Sequence, residues 1–184
     1  SLGVRPDIIA CRCKREISEN IKEKLSLFSN VPIESVISFH DLDSVYSIPF
    51  YLEEQGINNI IFKKFDKKPQ LDKEFHKKWV DFVENIKNPT NEITIAITGK
   101  YTNIKDSYLS ILKALEHCSA MHKCRINTRW IETTDLNGMK DVVAALDGVD
   151  GIIVPGGFGS RGTEGKIKCI EYARLNNIPF LGLC

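Results

Sequence analysis

Residues Glu92–Cys118 read EITIAITGKYTNIKDSYLSILKALEHC. EITIAIT (Glu92–Thr98) predicts a strand, Gly99-Lys100-Tyr101 breaks it, and SYLSILKALEHC predicts a helix. The unit recurs downstream. RINTRWIE (Arg125–Glu132) is a second strand, MKDVVAAL (Met139–Leu146) a helix, GIIVP (Gly151–Pro155) a third strand, GKIKCIEYARLNN (Gly165–Asn177) a helix and IPFLGL (Ile178–Leu183) a fourth strand. Four strands separated by three helices predict a doubly wound parallel sheet, which binds ligands at the carboxyl ends of its strands. The tips of interest are Gly99–Asn103, Pro155–Gly162 and Cys184.

Upstream, DIIACRC (Asp7–Cys13) suits a buried strand. Ile17, Ile21, Leu25 and Phe28 then recur at helical spacing, with Ser18 placed to cap and Glu19 in the first turn. ESVIS (Glu34–Ser38) reads as another strand. After the acidic turn HDLDS, PFYLEEQ predicts a helix with Pro49 in its first turn and Gly56 as its stop. Strand and helix alternate here too, as in an open parallel sheet. A charged stretch, DKKPQ, precedes a long helix whose face carries Leu71, Phe75, Trp79, Phe82, Val83 and Ile86 and which ends at Asn88-Pro89-Thr90. A domain boundary is expected there.

The 184 residues are 42% hydrophobic with a net charge of +1, which describes a globular α/β protein able to bury one or two modest cores. Such a charge creates no field for a polyanion, and the lysine clusters are two residues long, so no nucleic-acid partner is implied. No apolar run is long enough to span a bilayer. The six cysteines fall within or directly beside predicted strands and helices, and no signal segment precedes them, which favours a reducing, cytoplasmic setting. Cys11 and Cys13 are too close for the usual zinc pair and no second pair follows, so no metal ligands are assigned.

PGGFGSRG (Pro155–Gly162) contains Gly-x-Gly-x-x-Gly from Gly157, the dinucleotide pattern. That fingerprint also needs an acidic residue at the end of the next strand, and none lies between Tyr172 and Cys184. Such a loop can instead present backbone N–H groups to a developing negative charge, or be a turn without a ligand. The next strand tip decides between these. Cys184, after Leu-Gly-Leu, stands where a strand-to-helix elbow places a nucleophile, although a lone cysteine is more often a small buried apolar residue.

The sequence resembles the CTP synthases, glutamine-dependent amidoligases, over essentially its whole length. RPDIIACRCKR, NVPIESVIS, HDLDSVYSIP, ITIAITGKYTNIKDSYLSILKALEH, IIVPGGFGSRGTEGKI and NNIPFLGLC carry the resemblance, in the same order. It implies the end of a P-loop-type parallel-sheet synthetase domain (1–65), an interdomain linker and helix (66–90), and the first half of a doubly wound class I glutamine amidotransferase domain (91–184). The phosphate-binding loop and the carboxylates for the Mg2+ that accompanies ATP are expected before Ser1. The histidine and glutamate that activate the thiol, and the second oxyanion donor, are expected after Cys184. The segment alone is therefore expected to be inactive, and an alternative is a non-catalytic nucleotide-binding or assembly module from a truncated chain.

By the resemblance, the intact enzyme belongs to pyrimidine biosynthesis and aminates UTP to CTP with ATP, using ammonia from glutamine hydrolysis, activated by GTP and inhibited by CTP, as a cytoplasmic homotetramer. Cys184 matches the nucleophile, Gly157 the glycine whose amide holds the oxyanion, and Gly156 and Phe158 shape that loop. Arg161 matches an arginine linked to GTP. Lys24 matches a lysine that contacts UTP or CTP, against the bland reading of a surface lysine. His40, Asp41 and Leu42 match the ATP-contacting segment, in which the family commonly has lysine at position 40 and valine at position 42. Arg12 and Arg15 are further candidates to face that nucleotide.

Overall fold

Parallel pairing organises both parts of the chain. The computed structural model describes all residues except 1, 2, 4, 71, 101–104, 158 and 184. These divide into two compact units, Ser1–Lys77 and Lys78–Cys184.

In the first unit β1 (Ile9–Cys13) pairs in parallel with β2 (Val36–His40), Cys11 standing opposite Ser38. Parallel neighbours need a crossover, and α1 (Glu19–Ser29) supplies it, closed by Asn30 in the left-handed conformation with its N–H on the Ser26 carbonyl. Ser18 does occupy the N-cap, but its side chain makes no capping hydrogen bond. The apolar stripe also differs from expectation. Phe28 is 86% and Ile21 46% exposed, so α1 buries no residue completely.

PFYLEEQ does form a helix, α2 (Ile48–Glu54), with Pro49 in its first turn. Gly56 ends it as expected, at φ 75, but the same residue then caps a further helix, α3 (Ile57–Lys64), which the sequence reading left out. Gln55, between the two, acts as a strand substitute. Its Oε1 accepts from the Ser38 N–H at 2.8 Å and its Nε2 donates to the Ser38 carbonyl at 2.9 Å. Ser38 is fully buried, and without Gln55 these two groups would lose their partner on that side.

α4 (Lys73–Lys87) spans the division between the units. Of its predicted face, Val83 is buried, Phe75 is 62% exposed and Leu71 lies outside the described residues.

The second unit contains the predicted sheet. β3 (Asn91–Gly99), β4 (Cys124–Glu132), β5 (Gly151–Val154) and β6 (Phe180–Gly182) are all parallel, in the spatial order β4-β3-β5-β6. α5 (Leu109–His122) connects β3 to β4, α6 (Met139–Leu146) connects β4 to β5 and α7 (Thr163–Leu175) connects β5 to β6. The first connection runs one way along the sheet and the next two run the other way. With right-handed crossovers, this reversal puts α6 and α7 on the face opposite α5. It also opens the crevice between β3 and β5 at their carboxyl ends.

The core lies between the sheet and α6 and α7, built on Ala96, Ile131, Val142, Leu146, Ile152 and Cys169. Leu146 is fully buried and Ile152 only 2% exposed, each worth about 1.5–3 kcal/mol. The ends of α6 are held by polar groups. Asp141 accepts from the Gly138 N–H at 3.0 Å, and Arg129 donates to the Asp147 carbonyl at 2.5 Å, where the helix leaves its last carbonyls open.

Candidate active site

The crevice predicted by the strand order contains a pocket of about 690 Å³, lined among others by Lys100, Gly156, Gly157, Arg161, Lys166 and Leu183. β5 is buried along its length, and the chain leaves it through buried Pro155 to exposed Gly156 and Gly157. On one side, Leu183 N–H donates to the Val154 carbonyl at 2.9 Å, bringing the end of β6 alongside the loop. On the other stands the tip of β3. Gly99 packs so closely that an added Cβ would lie 2.7 Å from the Tyr108 hydroxyl, and that hydroxyl donates to the Lys100 carbonyl at 2.5 Å. Burial, then the nearby Glu132 charge, raises the Tyr108 phenol above its ordinary range.

Behind the loop, the short 3-10 turn Thr133–Asp135 joins the two halves of the crevice. Thr133 is buried and donates through its hydroxyl to the Gly99 carbonyl at 3.1 Å. A Cβ on Gly162 would stand 2.7 Å from that hydroxyl, and Gly162 adopts φ 77 to turn the loop into α7. α7 therefore begins at Thr163, after the third glycine of the motif and two residues before the predicted start at Gly165.

Lys166 was not singled out from the sequence. Helical side chains lean toward their N-terminus, so a lysine in the first turns of α7 reaches back under the loop. Its Nζ donates to the Pro155 carbonyl at 2.6 Å. A Cβ on Gly157 would lie 3.4 Å from Lys100 Cε and 3.7 Å from Lys166 Nζ. Burial lowers the Lys166 pKa below its ordinary value, and the Lys100 charge lowers it further. The pocket thus joins exposed backbone at two consecutive glycines to two cationic side chains, an arrangement suited to a ligand that carries or develops negative charge. Of the predicted residues, Gly156, Gly157 and Arg161 line it. Phe158 and Cys184 lie outside the described residues, whereas Leu183, next to Cys184 in the chain, is part of the lining.

In the first unit, the tips of β1 and β2 bring Arg12 into an ion pair with Asp41. Arg12 also donates to the Cys13 carbonyl at 2.8 Å. The His40 ring meets Tyr51 edge-on, with centroids 4.6 Å apart, and its Nδ1 is buried without a hydrogen-bond partner. Leu42 is half-buried, and Lys24 and Arg15 are exposed. Cys11 and Cys13 lie on one side of β1, and burial followed by the Cys13 charge raises the Cys11 thiol.

Residues 1–67 match the family model of the CTP synthase N-terminus, and residues 103–184 match that of the class-I glutamine amidotransferases. The CTP synthase of Caldanaerobacter subterraneus is 42% identical over 184 residues, an alignment covering 100% of this chain and 34% of the relative. That of Methanocaldococcus jannaschii is 44% identical over 192 residues, covering 100% and 35%. The chain spans about a third of the length of these curated relatives. Among solved structures, the Trypanosoma brucei CTPS glutaminase domain with bound acivicin is 41% identical, covering 49% of this chain and 35% of that one, at a TM-score of 0.46.

Proposed function

Because the chain belongs to the CTP synthase family, we propose that the protein of which it is part aminates UTP to CTP at the expense of ATP, with ammonia released from glutamine. The observation that carries this reading is the pocket between β3 and β5. Gly156, Gly157 and Leu183 line it, and the last of these directly precedes the cysteine that matches the family nucleophile.

In this reading the Cys184 thiolate attacks the glutamine carboxamide carbon, and the carbonyl π pair moves onto oxygen. The Gly157 N–H stabilises that oxyanion, an interaction of a kind worth about 3 kcal/mol. The C–N bond then breaks, ammonia leaves with a proton from the site's acid, and water hydrolyses the glutamyl thioester. Ammonia consumed inside the protein stays unprotonated and nucleophilic toward UTP activated at O4.

The division of labour follows the family: residues 1–65 close the synthetase domain, 66–90 link, and 91–184 begin the amidotransferase, in keeping with the matched ranges 1–67 and 103–184. Lys24 contacts the UTP or CTP triphosphate. His40, Asp41 and Leu42 contact ATP, chiefly through backbone at His40, whose ring is turned into Tyr51. Arg161 serves GTP activation. CTP inhibits, and four subunits assemble in the cytoplasm.

Among the described residues no group of three or more His, Cys, Asp or Glu gathers to hold a metal. The ion that accompanies ATP would neutralise phosphate charge during transfer.

Replacing Cys184 by Ala in the full-length protein tests the reading. Glutamine-dependent CTP formation is expected to vanish while ammonia-dependent formation persists. Equal loss of both would reduce Cys184 to a structural part.

A further inference from the structure

Lys166 is costly where it stands. The residue is half-buried and its ammonium is bonded to a carbonyl, with a second cation, Lys100, close enough to lower its pKa further. Removing a charged group from water without an anionic partner is unfavourable, and among the described residues the bond from Lys166 Nζ is to the Pro155 carbonyl, 2.6 Å long, and to no carboxylate.

That carbonyl belongs to the peptide unit whose other end is the Gly156 N–H. Two glycines in succession leave the loop free to rotate its peptide planes, because neither has a Cβ to restrict them. A cationic donor on the carbonyl fixes the plane. It also polarises the unit, strengthening the N–H at its far end. The ammonium meanwhile lies 3.7 Å from the position a Gly157 Cβ would take.

We propose that Lys166 is a positioning residue of the glutamine site: by clamping the Pro155 carbonyl it aims the Gly156 and Gly157 amides at the oxyanion, and its charge, beside that of Lys100, favours the tetrahedral intermediate over bound glutamine. This inference rests on the glutaminase reading given above. Lys166 acts through the loop and through its field, without touching the reacting atoms.

The experiment uses the full-length protein with Lys166→Met, Lys166→Gln (neutral and one atom shorter), Lys166→Arg and Cys184→Ala. Five quantities are measured: glutaminase kcat, glutaminase KM, ammonia-dependent CTP formation, inhibition by L-glutamate, and inhibition by L-glutamate γ-semialdehyde. The semialdehyde carbon takes up the thiolate and its oxygen becomes an oxyanion, so it reports on the loop amides, whereas glutamate reports on ground-state binding.

Lys166→Met and Lys166→Gln are each expected to lower kcat about 10- to 100-fold. KM, glutamate inhibition and the ammonia-dependent rate should stay within about twofold, and semialdehyde affinity should fall by the same factor as kcat/KM. Lys166→Arg, which keeps charge and donor, should recover most of the loss. Wild-type kcat in either neutral variant that folds overturns the inference alone. So does a loss in which glutamate and semialdehyde binding fall together, the mark of a merely structural lysine. Absence of glutaminase activity from the wild type, or its persistence in Cys184→Ala, overturns the reading of the site and the inference with it.

Discussion

The Thr133 carbonyl oxygen lies 2.1 Å from the position that a Cβ on Gly165 would occupy, so α7 packs directly against the backbone of the turn after β4. This contact sets the height of α7 beneath the glycine loop. Gly165→Ala must push helix and turn apart, and neither backbone can give way as a flexible side chain would. A loss of about 3 kcal/mol is expected, at the upper end for overpacking. The midpoint of urea unfolding of the full-length protein checks it, and an unchanged midpoint would show that the two segments part easily.

Gln55→Ala should destabilise the first unit by about 1–3 kcal/mol, because it strips partners from a buried N–H and a buried carbonyl of Ser38 at once. Amide hydrogen exchange at Ser38 is the direct readout. Exchange as slow in the variant as in the wild type would mean that another group replaces the glutamine.

Cys169 is fully buried, and burial raises its thiol from 9.0 to about 11. The folded state therefore holds the proton longer than the unfolded state. Its contribution is intact below about pH 9 and is lost as pH rises from 9 toward 11, the loss reaching roughly 3 kcal/mol. Denaturant titrations of wild type and Cys169→Ala across this range should show a steeper alkaline fall for the wild type. Parallel curves would assign the fall to other groups. Native Cys169 should also resist alkylation at neutral pH, while exposed Cys118 reacts.

Lys24 is exposed on α1, so removing its side chain should leave stability within about 0.5 kcal/mol. On the proposed function, Lys24→Ala in the full-length protein should nonetheless weaken UTP saturation or CTP inhibition. If both curves match those of the wild type, Lys24 is a surface lysine and the proposed nucleotide contact is withdrawn.

Periodicity found the strands and helices of the second unit to within a few residues, since β3 and β5 are apolar runs and the helices between them are amphipathic. The glycine loop was legible because its Gly157, Gly159 and Gly162 spacing is written in the chain. α3 was missed because Gly56, sound as a stop for α2, also serves as the cap of the next helix. The exposed Phe28 shows the opposite limit: helical spacing marks an apolar stripe but says nothing of what, if anything, covers it.

The alternation of strand and helix, the loop chemistry at Pro155–Gly162 and the family resemblance are legible along the chain, because each depends on residues close together in it or on their order. That β5 lies beside β3 and not β4, that Thr133 ties the two tips together, and that Lys166 reaches the Pro155 carbonyl emerge first in three dimensions. These depend on which way each crossover turns and on where a long side chain finds a carbonyl, and no local pattern encodes either.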